Sequence, residues 1–300
     1  MTDGVHRRSE ERAPGRPRRL ASYRWALSFL SIACGPASLV TIGVALATAG
    51  CSGGSNNNNQ AQSPETQSFA EYDLAKDAYK RGKLREVLAH VQKALEHDET
   101  NADAAYLGAS VHLQFCAADE TSADCRYEDA EKYARAAIEA NAELREAKNM
   151  LGVILVHEKK FDEAVNVLKP LANDILYNFP ENAWGNLGWA YLLSGKHDEA
   201  VDALRRALAA QPLYCVAAYR LGLAYEKKGD LTAARDALTR TVETPSPDCQ
   251  RLQDAFDARA RVGARQGLSD EVRSDLTRCV EISSATPLGK RCAEQLKKMQ

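Results

Sequence analysis

The chain repeats itself at a period of about 34 residues, and this constrains its fold more than any other feature. Residues 181–214 and 215–248 align without a gap. The first carries Trp184, Leu187, Gly188, Tyr191, Gly195, Ala200, Leu204, Ala207, Leu208 and Pro212; the second keeps Leu221, Gly222, Tyr225, Gly229, Ala234 and Leu238. An earlier unit starts near Arg145 with Leu151, Gly152, Leu155, Phe161, Ala164 and Leu168. Another starts near Asn101 with Leu107, Gly108, Val111, Tyr127, Ala130 and Ala137. Degenerate units begin near Ser68 (Leu74, Ala75, Gly82, Ala94, Leu95) and near Gln253 (Ala260, Gly267, Leu276). Units of this size bury their apolar faces against their neighbours rather than in one central core, and terminal units are atypical because they cap the stack.

Within a unit, Trp184, Leu187, Gly188 and Tyr191 fall at i, i+3, i+4 and i+7, one face of an α-helix. The small residue lets a second helix approach closely. Gly195 and Gly229 fall at the turn between the two helices, where a left-handed backbone is needed. These positions match the tetratricopeptide pattern W-x2-L-G-x2-Y…A-x3-F…A…P. The expected fold is all-α: a right-handed tetratricopeptide solenoid of about six helix pairs over 68–286, closed by a C-terminal capping helix over 287–300. Composition agrees: aromatics are 7%, so helix-forming Ala, Leu, Glu, Lys and Arg dominate, and 45% hydrophobic residues suffice for a core.

The first fifty residues read as an export signal. Seven arginines lie between Arg7 and Arg24; an apolar stretch follows from Trp25 to Gly50 and ends in Thr48-Ala49-Gly50-Cys51. Those last four residues resemble a bacterial lipobox, which implies a signal peptide over 1–50, lipidation at Cys51 and a membrane held through the acyl chains. An uncleaved membrane anchor is the alternative, because Trp25–Gly50 is long enough to span a bilayer. Ser52 follows the Cys where Asp would retain a lipoprotein at the inner membrane, so the resemblance implies the outer membrane. Residues 51–67 read as the lipidated Cys and a flexible linker. Its Gly, Ser, Asn and Gln composition gives a span of roughly 20–25 Å.

Of eight cysteines, Cys34 lies in the signal and Cys51 at the lipid site. Six remain, an even number in a chain read as exported, which points to disulfides although six allow fifteen pairings. The repeat register favours Cys116–Cys125, across the neck of the insertion CAADETSADC. It favours Cys215–Cys249, at the starts of neighbouring units, and Cys279–Cys292, between the last unit and the capping helix. No cysteine or histidine spacing fits zinc, and no metal or cofactor is expected.

The sequence holds no G-x-S-x-G, H-E-x-x-H, Walker-type or dinucleotide-binding glycine motif, and no enzyme activity is expected. His112 and His157 share similar repeat positions; packed or solvated roles outweigh a ligand pair. Of 39 basic and 41 acidic residues, seven Arg and three acids lie in 1–50, which leaves 32 against 38 beyond it. Such a surface excludes a nucleic-acid footprint.

Function is expected in the concave groove lined by the first helix of each unit. The middle helices are apolar on a second face, through Val153, Val156, Trp189, Leu192, Tyr219 and Leu223. A helix apolar all round is either buried or binds something. Asn149 and Asn182 sit where they would hydrogen-bond the backbone of an extended peptide. An exported, lipidated chain of about six tetratricopeptide units resembles the pilotins of type IV pili (the Tgl/PilF/PilW group). The insertion CAADETSADC and the C-terminal CVEISSATPLGKRCAEQL resemble the Tgl branch. The resemblance implies a monomer anchored in the outer membrane, facing the periplasm, that binds secretin subunits through the groove and promotes their assembly. A different adaptor lipoprotein, scaffolding proteases or cell-wall hydrolases, is the alternative.

Overall fold

The computed structural model describes residues 63–299, so the signal, the lipobox and Cys51 lie outside the described residues. Six antiparallel helix pairs follow one another. They are α1 (Pro64–Lys80) with α2 (Leu84–His97), α3 (Ala102–Ala118) with α4 (Tyr127–Ala140), and α5 (Arg145–His157) with α6 (Phe161–Ala172). Then come α7 (Pro180–Leu193) with α8 (His197–Ala210), α9 (Cys215–Lys228) with α10 (Leu231–Glu243), and α12 (Gln253–Gln266) with α13 (Ser269–Ile282). A single turn, α11 (Pro247–Gln250), precedes the last pair, and α14 (Pro287–Lys297) closes the stack. No strand occurs among the described residues, and none of their helices is long and apolar enough to cross a membrane.

One boundary differs from expectation. Residues 64–67, read as linker from their polarity, belong to α1. Ser63 accepts a hydrogen bond from the Thr66 amide at 3.3 Å, and Pro64 fills the first helical position, where its missing N–H costs nothing.

The pairs close through their small residues. A Cβ on Gly188 would lie 2.5 Å from Cγ of Leu204, and Gly222 stands in the same relation to Leu238, so each glycine admits a leucine of the facing helix. The turns carry the left-handed residues: Gly195 has φ +78° and Gly229 φ +82°. In the third pair this position is Lys159, at φ +62°. A side chain there costs roughly 1–2 kcal/mol. Lys159→Gly is therefore expected to raise stability by about 1 kcal/mol, seen as a higher urea midpoint with an unchanged slope. A lower midpoint would mean that the turn is not strained.

Successive pairs share their cores. Ile154, Leu155, Leu168 and Leu187 form one fully buried cluster, and Leu204, Ala217, Leu238 and Val262 continue it into the next repeats. At the C-terminal end Phe256, Val272, Leu276, Cys279 and Cys292 seal the stack. Three bridges tie the chain, Cys116–Cys125, Cys215–Cys249 and Cys279–Cys292, with Cα separations of 4.2, 5.8 and 6.2 Å. The first closes the loop after α3, and Asp124 of that loop pairs with Arg85 at 2.7 Å. Where 141–144 and 211–214 join one pair to the next in four residues, the connection from α6 to α7 takes seven, 173–179.

Candidate partner-binding groove

The first helices of the middle pairs, α5, α7 and α9, are apolar on two faces because one face closes the pair and the other looks along the stack. The structure divides the eight expected groove residues. Val153, Trp189, Tyr219 and Leu223 are half-buried, as are Asn149 and Asn182. Val156, 2% exposed, is not a groove residue, and Leu192, 7% exposed, shows only an edge in the pocket beside Trp189. Both stand near the C-terminal end of their helix, where the next pair packs over them. Val156 joins Ala183 and Leu187 of α7, and Leu192 joins Ala217 and Leu221 of α9. The apolar stripe expected from the sequence is therefore broken into patches around Val153, Trp189 and Tyr219–Leu223.

Polar residues between the patches form a ladder across three repeats. Asn186 donates through Nδ2 to Oδ1 of Asn149 at 3.1 Å. Arg220 donates through Nη1 to Oδ1 of Asn186 at 3.0 Å and to the Gly185 carbonyl at 3.1 Å. Its guanidinium lies 4.9 Å from the centre of the Trp189 ring, a cation–π distance. No carboxylate pairs with Arg220 among the described residues, and burial pulls its pKa below the usual guanidinium value. Burial also pushes Tyr219 up to about 12, so it is a neutral phenol at neutral pH. The groove thus holds a cation whose charge is met only by dipoles and a ring, a setting in which an incoming carboxylate gains both Coulomb energy and hydrogen bonds.

Beside this ladder, Trp189, Leu193, Leu223 and Glu226 help line a pocket of about 640 Å³ that also reaches Arg261. Arg261 grips Glu226 through two contacts of 2.8 Å and reaches Asp257 at 3.1 Å, while Lys227 and Arg265 also line this rim. The size suits a large side chain, and the wall beneath is apolar.

The two histidines are not a ligand pair. His112 is buried and stacks on Tyr133 at 5.6 Å, and His157 stacks on Tyr127 at 5.0 Å with its Nδ1 3.1 Å from the phenol oxygen. Among the described residues no cluster of acidic, Cys or His side chains could hold a metal ion. Asn186 and Arg220 went unnoticed in the sequence. Their signal was present: both occupy the sixth place of consecutive units, polar in otherwise apolar helices.

The tetratricopeptide repeat family matches residues 125–169, 170–214 and 186–248. Comparison with curated proteins finds no match. Among solved structures, the chain is similar to PilW, described as a widely conserved type IV pilus biogenesis factor. The TM-score is 0.63 at 18% identity, covering 75% of this chain and 98% of PilW. PilF of Pseudomonas aeruginosa superposes with TM-score 0.59 at 17% identity, over 78% of this chain and 100% of its own. YrrB, described as a tetratricopeptide protein with an unusual peptide-binding site, gives 0.50 at 23% identity over 64% of this chain and 91% of YrrB. The repeats of this chain are tetratricopeptide repeats, and its fold is the tetratricopeptide α-solenoid.

Proposed function

We propose that this chain is a pilotin-like lipoprotein of the outer membrane, anchored through Cys51 and facing the periplasm, which binds secretin subunits and promotes their assembly for type IV pilus biogenesis. The observation that carries the reading is the likeness in fold to PilW, over 98% of that protein and 75% of this chain. The three bridges support it, because disulfides persist in oxidising compartments such as the periplasm.

In this reading the groove of α5, α7 and α9 receives one segment of the unassembled subunit. An apolar side chain fills the pocket against Trp189 and Leu223. Asn182 hydrogen-bonds the segment's backbone at the mouth. Arg220 takes a carboxylate of the segment, exchanging weak dipole contacts for a charged pair. Holding such a segment keeps a subunit apart until it joins the ring. The test is capture: the purified chain should retain solubilised secretin subunits on a column. Passage of secretin through the column, with other envelope proteins retained, would instead make the chain an adaptor of another system.

A further inference from the structure

One edge of the solenoid, formed by the connections that lead from each pair to the next, carries most of the large apolar side chains left in water. In the seven-residue connection Ile175 is 96% and Leu176 67% exposed, and Phe179 follows close by. Leu213, in the neighbouring connection, is 61% exposed. Phe69 is exposed on the first turns of α1, which belong to the same edge, because Ser68 meets Asn101 of the α2–α3 connection at 2.8 Å.

The long connection is built to hold its apolar pair outward. Arg145 grips the Asp174 carboxylate at 2.6 Å, and that carboxylate accepts the Leu176 amide at 2.9 Å. The Tyr177 amide donates to the Asp174 carbonyl at 3.1 Å, while the Tyr177 ring, 5% exposed, roots the loop in the core. The opposite edge differs. Its turns are charged, as in Arg81-Gly82-Lys83 and Lys228-Gly229-Asp230, and its exposed Tyr79, Leu193 and Leu268 sit singly among them.

We infer that the Ile175–Leu176 connection, with Leu213 beside it, is a membrane-contact rim that dips into the lipid surface carrying the chain's anchor. Two observations select lipid over a protein partner. The apolar residues are protrusions on a loop edge rather than the walls of a groove, a shape that enters a soft apolar phase without needing a complementary cavity. The described body also begins on this edge, at Ser63, which lies only twelve residues from Cys51. A segment of the composition of 51–62 spans roughly 20 Å. Attachment at Cys51 therefore keeps this edge within reach of the membrane. The inference rests on the lipid-anchor part of the proposed function and not on the secretin.

The test uses the full chain, purified with its lipid from membranes and placed in vesicles of phosphatidylethanolamine and phosphatidylglycerol. The vesicles carry a photoactivatable diazirine on an acyl chain, and labelled peptides are mapped by mass spectrometry. The rim predicts label on 173–179 and on Leu213 about tenfold above the Trp189 peptide. Ile175→Asp with Leu176→Asp should reduce label over 173–179 to background while leaving helical circular dichroism and secretin capture unchanged. Label at the Cys51 peptide without label on the connection overturns the rim alone. Label at neither overturns the anchor and the rim together. Loss of secretin capture by the double variant, with lipid labelling unchanged, makes the edge a protein surface and also overturns the rim.

Discussion

Replacing Asp275 with alanine is expected to cost about 3 kcal/mol of stability, because it takes the bidentate partner from a largely buried cation. Asp275 is 1% exposed on α13. Arg259 of α12 meets its two oxygens at 2.7 and 2.9 Å, and the same guanidinium reaches Thr239 of α10 at 3.3 Å. Burial pushes the Asp275 carboxyl up against the downward pull of Arg259, so the pair is held by geometry in a place where a lone charge is costly. Removing the carboxylate leaves the guanidinium with the Thr239 hydroxyl and only the more distant Glu271 carboxylate, 3.7 Å away. The comparison variant is Arg259→Met with Asp275→Leu, which removes both charges and is expected to cost far less. Urea unfolding of both variants checks this: near-equal midpoints would mean that the ion pair contributes only packing. Because a solenoid repeat touches only its neighbours, hydrogen exchange in Asp275→Ala should rise first in α12–α14 and least in α5–α7.

Trp189→Ala with Tyr219→Ala is expected to weaken secretin capture by roughly thirtyfold or more, on the order of 2 kcal/mol, the range in which buried aromatic anchors dominate interfaces. Trp189 forms a wall of the pocket and supports Arg220, and Tyr219 occupies the apolar patch beside it. Both rings also pack half-buried on the core, so some loss of stability is expected as well. Helical circular dichroism and the thermal midpoint separate the two effects. A folded variant with weak capture supports the groove. A variant that unfolds supports a purely structural role for the rings. Within the same series Arg220→Lys should not restore capture lost in Arg220→Ala, because an ammonium cannot bridge Asn186, the Gly185 carbonyl and a carboxylate at once.

Much of this architecture is legible in the sequence. A glycine three residues before a periodic aromatic, and another at most turns, report close approach and left-handed backbone directly, as Gly188 and Gly195 show. The cysteine pairs were legible because a fixed register places the starts of neighbouring units side by side, as at Cys215 and Cys249. The start of α1 was also written locally, in Ser63-Pro64, but the polar composition of 51–67 outweighed it. The groove was harder. Whether Val156 and Leu192 face solvent or core depends on how far each pair rotates against the next, and periodicity within one helix carries no record of that rotation. The Asn149–Asn186–Arg220 ladder joins residues of three units and exists only once the units are stacked. The outward Ile175–Leu176 pair was hidden for a related reason: an apolar pair in a connection reads as core until the loop that holds it out is seen.

The most direct measurement is an immunoblot of heat-resistant secretin multimers in membranes from cells with and without this gene, and from cells carrying Cys51→Ala. The account predicts that multimers vanish without the chain while secretin monomer persists, and that unanchored protein restores them poorly. Multimers at unchanged levels in the absence of the gene would contradict a role in secretin assembly.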